Sequence, residues 1–122
     1  MENKKVNDGY KLYTSILKFN KYSRSYILCS IPKVHNDIKI HYQDELYNLS
    51  KNIFYATYNK GNIRMKYLTD IQVSISMIDM LLTEIKNLKC IKIDKINNAI
   101  NLLFIIKNII YGWKFNEESK KN

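Results

Sequence analysis

The chain has 122 residues with only three Gly and one Pro, and its 20 basic against 11 acidic groups give a net charge of +9. That length suits one domain with one core, and so few turn residues argue against a fold of many short strands. No apolar run reaches the roughly 18 residues of a membrane span, and the opening MENKKVNDGYK lacks the apolar centre of a signal peptide, so a cytoplasmic protein is expected.

Residues 1–7 read as a polar tail. Asp8 is placed to cap a first helix over 8–30, with Tyr10, Tyr13, Ile16, Leu17, Ile27 and Leu28 on its apolar side. Asn20, Ser23 and Arg24 interrupt that side, which predicts a bend or an exposed turn between 20 and 25. Pro32 ends the helix, because it lacks an N–H donor and biases Ile31 away from helical angles. A second helix over 34–57 follows. Tyr42, Leu46, Leu49, Ile53 and Ala56 form its seam, and Lys39, Gln43, Asn48, Lys51 and Asn52 a solvated face. Residues 58–62 are the clearest turn, with Gly61 able to take the left-handed conformation.

The third helix, over 63–88, organises the rest. Leu68, Ile71, Ile75, Ile78, Leu82 and Ile85 alternate three- and four-residue steps, with Tyr67, Met77, Leu81 and Leu88 beside them. So wide an apolar side needs neighbours along its whole length. After a short connector, Asp94 is placed to cap a fourth helix over 94–113, whose seam is Ile96, Ala99, Leu103, Ile106, Ile110 and Trp113. The polar stretch 115–122 reads as a second tail. Four helices with short connectors predict an all-α, antiparallel up-down-up-down bundle comprising the single domain 1–122. Leu102, Ile105 and Ile109 fall off the fourth seam. Burying them is worth several kcal/mol per subunit at ~25 cal/mol per Å², so they are expected to form an interface between copies of the chain.

A charge of +9 favours an anionic partner. The cations are lysines apart from Arg24 and Arg64, which suits contact with RNA or DNA backbone more than base reading. The strongest cluster is Lys60, Arg64 and Lys66, flanked by Tyr55, Tyr58 and Tyr67, because aromatics beside cations can stack on unpaired bases. Lys51, Lys107 and Lys114 are further candidates. A membrane-surface role is disfavoured by the acidic residues Asp70, Asp79 and Glu84 on the third helix.

Catalytic signals are weak. His41 and Glu45 are spaced i, i+4, with Asp37 and Asp44 nearby, but a metal site needs three or four convergent ligands. An Arg followed four to six residues later by His, a pattern of some helical ribonucleases, is missing, and the three Gly are too isolated for a phosphate loop. No enzyme activity, metal or cofactor is expected. Cys29 and Cys90 lie in apolar neighbourhoods and read as reduced core residues.

Three fragments then line up: Ile31-Pro32-Lys33 closing the first helix, residues 55–64 joining the second and third, and Ile110-Tyr111-Gly112-Trp113-Lys114 closing the fourth. In that order and spacing, over about residues 10–114, the chain resembles the four-helix bundle family of the accessory variability determinant of diversity-generating retroelements. Proteins encoded in ribosomal RNA intervening sequences belong to the same wider group. The resemblance implies a ring-like homopentamer that binds the element's reverse transcriptase and its template RNA or DNA, without catalysis, to support mutagenic cDNA synthesis. By position, Pro32 and Lys33 match the family's Pro-Lys, Arg64 the basic residue opening the third helix, and Gly112 and Trp113 the end of its Gly-Gly-Trp. Asn36 stands where the family commonly has Arg, Lys39 where it often has Gly, and Tyr111 in place of the first Gly. These departures leave the seams intact and bear on the partner surface. The alternative within the same family is a scaffold of the ribosomal RNA intervening-sequence type with no retroelement role.

Overall fold

The computed structural model describes residues 2–120, and the outermost residues of the two expected tails lie outside them. It contains α1 (Glu2–Tyr22), α2 (Asn36–Tyr58), α3 (Gly61–Leu88) and α4 (Ile93–Ser119), with no strand among the described residues. Helix α2 packs along α3, α3 along α4, α4 along α1, and α1 along α2, so the four close into a bundle. Every seam residue expected on α2, α3 and α4 is buried. The amphipathic period therefore decides which side of α2, α3 and α4 faces inward, whereas on α1 the expected Tyr10, Tyr13 and Leu17 are exposed and Leu12, Ile16 and Phe19 form the buried side. The α2–α3 connection is only Asn59 and Lys60, both extended, and Gly61 then takes φ +61°, a left-handed angle that a side chain would strain. Lys89 ends α3 with φ 59°, its N–H donating to the Lys86 carbonyl.

The first helix departs from expectation. It does not run to residue 30: α1 gives way to a π turn (Ser23–Ile27), then a 3₁₀ turn (Leu28–Ser30), with another 3₁₀ turn (Lys33–His35) after Pro32. Ser23, Ile27 and Ile31 all point inward at four-residue steps. In a regular α-helix each such step drifts by about 40° from the face. The wider π turn absorbs that drift between Ser23 and Ile27, and Ile31 comes inward in extended backbone beyond the 3₁₀ turn. Ser23 is not an exposed interruption; it is fully buried, and its hydroxyl pairs with that of Tyr42 at 2.9 Å. Burial pushes the Tyr42 phenol far above its ordinary range despite the Ser23 contact, so it stays protonated. The same phase change turns Cys29 outward. It is exposed, its thiol donating to the Ser25 carbonyl at 3.0 Å, and Cys90 is half-buried; both are free thiols.

Other boundaries move too. Helix α1 begins at Glu2, so Asp8 is inside it and accepts from the Asn116 side chain of α4 at 3.3 Å instead of capping. Helix α4 starts at Ile93, with Lys92 at the cap position and Asp94 accepting the Lys95 N–H. It continues to Ser119 because Glu117 is buried and held by other elements. Asn52, expected on a solvated face, is buried, since α2 packs so closely on α3.

Ser23→Ala strands the buried Tyr42 hydroxyl and should destabilise the fold by about 1–3 kcal/mol in urea unfolding. Adding Tyr42→Phe, which removes the stranded group, should recover much of that loss.

Candidate nucleic-acid interface

The turn between α2 and α3 was expected to present Arg64 to a ligand. Instead it builds a buried lock. The Arg64 Nε donates to the Ala56 carbonyl at 2.7 Å and Nη2 to the Thr57 carbonyl at 3.3 Å, satisfying carbonyls that the end of α2 leaves open. Its Nη1 pairs with Glu117 at 3.1 Å, and its guanidinium lies 5.0 Å from the centre of the Trp113 ring. The second Glu117 oxygen accepts the Gly61 N–H at 2.9 Å, and Lys120 stands 3.5 Å away. Burial pushes the Glu117 carboxyl up, but the Gly61 and Arg64 hydrogen bonds and the charges of Arg64 and Lys120 outweigh it and hold it below the ordinary range. With the Arg64 side chain only 13% exposed, its donors face inward. Arg64 does not belong to an open phosphate site.

The other expected contacts divide. Lys66 is exposed, pairs with Asp70 at 3.2 Å and lies over the Tyr67 ring. Tyr67 in turn stacks on Tyr55, centroids 4.7 Å apart, so these two rings cover each other. Lys107 pairs with Asp79 at 2.6 Å, and Lys114 donates to Thr69 and Gln72, all on α3. Lys51 and Lys60 are exposed and form no ion pair among the described residues. The six do not converge on one patch: Arg64 is inside, Lys107 and Lys114 bind α3, and Lys51, Lys60 and Lys66 remain on the surface. Of the family-like residues, Pro32 and Lys33 sit exposed at the turn before α2, and Trp113 plugs the core. Gly112 is exposed, and an added Cβ would meet nothing within 4 Å, so close helix approach inside the subunit does not require it. No group of three or more His, Cys, Asp or Glu among the described residues could hold a metal.

Two surfaces stand out. On α4, Leu102 and Ile109 are half-buried against the subunit's own core, while Ile105 is 48% exposed. Ile100, Phe104, Tyr111 and Phe115 are exposed on a separate side, about 100° around the helix from Ile105, where Phe104 and Tyr111 line a hollow against α3. Lys107, beside Phe104 and Tyr111, is paired with Asp79, and Lys114 donates to Thr69 and Gln72.

The second surface lies between α1 and α2. Tyr10 and Tyr13 on α1 face Phe54 and Tyr58 on α2 across a cleft of about 260 Å³ floored by Gly9 and Ile53. The Tyr13 and Phe54 rings lie 5.9 Å apart, and the Asn20 amide donates to Ser50 further along. The sequence reading missed this face because it sought cations first. A signal was present: the chain holds no Asp or Glu from 9 to 36, nor from 46 to 69, and these stretches supply both walls.

Compared with protein-family models, curated proteins and solved structures, the chain matches none.

Glu117→Gln should destabilise the protein by about 1–3 kcal/mol at neutral pH. The native carboxyl titrates below its unfolded value of about 4.3. Its contribution is therefore complete above that value and lost as pH falls through the lower folded one. Acid unfolding followed by circular dichroism should be correspondingly shallower in the Gln variant.

Proposed function

We propose that this chain is a non-catalytic accessory of a reverse transcriptase in a diversity-generating retroelement. It is read as an antiparallel four-helix bundle in the cytoplasm. It assembles as a homopentameric ring and holds template RNA or DNA by lysine electrostatics to support mutagenic cDNA synthesis. The observation that carries the nucleic-acid part is the charge of +9 on a small helical bundle with two long stretches free of carboxylates. The reverse transcriptase, the ring and its subunit number rest on the family resemblance of the 31–33, 55–64 and 110–114 fragments. Self-association has separate support in the exposed apolar side chains of α4, Ile105 and Phe104 among them. The antiparallel reading is supported by contacts between opposite ends. Gly61 at the start of α3 meets Glu117 near the end of α4, and Tyr22 at the end of α1 donates to the Lys95 carbonyl near the start of α4.

One observation favours the scaffold alternative of the ribosomal RNA intervening-sequence type. Arg64, the family-like basic residue opening α3, is engaged inside the fold, and Asn36, Lys39 and Tyr111 depart from the pattern. A scaffold would keep the assembly and lose the nucleic-acid contact.

Light scattering at low and high salt, with and without a structured RNA, separates these readings. The accessory reading expects about five times the 14.6 kDa subunit mass, with RNA mass added at low salt only. A ring that ignores RNA would select the scaffold, and a monomer that ignores RNA would remove both. Ile105→Lys should reduce the mass to that of a monomer without unfolding it. Neutralising Lys51, Lys60 and Lys66 together should flatten the salt dependence of binding, by roughly 0.7–0.9 in log–log slope for each phosphate no longer neutralised.

A further inference from the structure

The α1–α2 face differs in kind from the rest of the surface. Tyr10, Tyr13 and Leu17 follow α1 at steps of three and four, and Tyr47, Phe54 and Tyr58 follow α2 at steps of seven and four, so each set lies along one side of its helix. Most are strongly exposed: Tyr58 is 81% exposed, Tyr47 64%, Tyr10 63% and Phe54 48%. A monomeric surface seldom leaves so many rings together in water. Negative charge is sparse beside it, with exposed Asp44 three residues before Tyr47. Asp8 is occupied by Asn116 of α4, and Glu45 lines a separate hollow against Asp70 and Ser74 of α3. Positive charge stands at the far end, where the Arg24 guanidinium sits 5.5 Å from the centre of the Tyr47 ring, whereas Lys51 lines the α2–α3 hollow with Glu45 and Asp70.

Flat rings with a cation at one end, and few polar groups aimed into the cleft, suit ligands that are themselves flat and negatively charged. Each base of a single strand presents a π-face to a ring while its phosphate meets a lysine or arginine. A duplex hides those faces and offers only its backbone. A groove for an amphipathic helix would present aliphatic pockets at helical intervals; here the walls are rings, and aliphatic side chains are confined to the floor and one edge. A second copy of this chain has different apolar groups available, the exposed Ile105 and Phe104 of α4.

We infer that the α1–α2 face is a stacking site for single-stranded RNA or DNA, with unpaired bases received by Tyr10, Phe54 and Tyr58 and the backbone by Arg24 at its far end. This inference rests on the nucleic-acid part of the proposed function and gives that binding a location away from the α3 turn. The site reads no sequence, since stacking accepts any base.

The test measures binding of the full-length chain by fluorescence anisotropy to a labelled oligouridylate and to an RNA hairpin of equal charge, at one fixed salt concentration. The variants are Tyr10→Ala with Tyr58→Ala, and Tyr10→Phe with Tyr58→Phe. Both positions are largely exposed, so neither variant should unfold, which circular dichroism checks. The Ala pair should weaken oligouridylate binding by on the order of ten-fold or more, leave hairpin binding and the salt slope unchanged, and be rescued by the Phe pair. Equal binding of both RNAs, untouched by the Ala pair, would overturn the stacking site while leaving the nucleic-acid reading intact. Binding of neither RNA by the native chain would overturn both. A fall in solution mass with the Ala pair, with oligouridylate binding retained, would reassign the face to contact between copies.

Discussion

The Arg64–Glu117 pair joins the end of α2, the start of α3 and the last turns of α4. A buried ion pair is by itself a poor source of stability, because desolvation consumes much of the attraction. This one is completed by hydrogen bonds: two carbonyls of α2 and the Gly61 N–H share its polar atoms, and the Trp113 ring covers the guanidinium. Its structural consequence is register. The apolar seams permit two helices to slide by a turn at modest cost, since a three-four rhythm repeats. A carboxylate that must reach both the first residue of α3 and an arginine one turn later permits only one alignment. The lock also explains why α4 remains helical beyond Trp113, through sequence that is polar throughout except Phe115.

Legibility in the sequence followed the range of the interaction. The seams of α2, α3 and α4 were readable because burial and helical period are local properties, recorded every three or four residues. The π turn was only half readable. Asn20, Ser23 and Arg24 marked where the pattern failed, but its resolution depended on Tyr42, a hydroxyl on another helix that accommodates Ser23 in the core. Cys29 was misplaced for the same reason, since a change of phase upstream rotates all that follows. The role of Arg64 was not readable at all. Its cluster with Lys60 and Lys66 is local, whereas the partner that turns it inward lies 53 positions along the chain. Net charge predicted the sign of the surface; it did not predict which cations were already engaged.

The two apolar surfaces are separated by the connectivity of the bundle. Packing runs α1–α2, α2–α3, α3–α4 and α4–α1, which places α2 and α4 across the bundle from each other. The exposed apolar groups of α4 and the outward rings of α2 therefore face in opposite directions. Their chemistry differs as well: α4 shows aliphatic and aromatic groups with Lys107 and Lys114 engaged by α3, whereas the α1–α2 face shows rings with Arg24 against Tyr47. A helix whose lysines are already paired beside its exposed apolar groups gains by burying those groups against protein. A face that keeps a cation beside its rings gives up its hydration if it is buried against another cationic copy. Assembly through α4 would thus leave the aromatic cleft open and repeat it around the outside of the assembly. Several copies of a weak, sequence-tolerant stacking site on one particle can hold a long single strand through effective concentration, with no single subunit binding tightly.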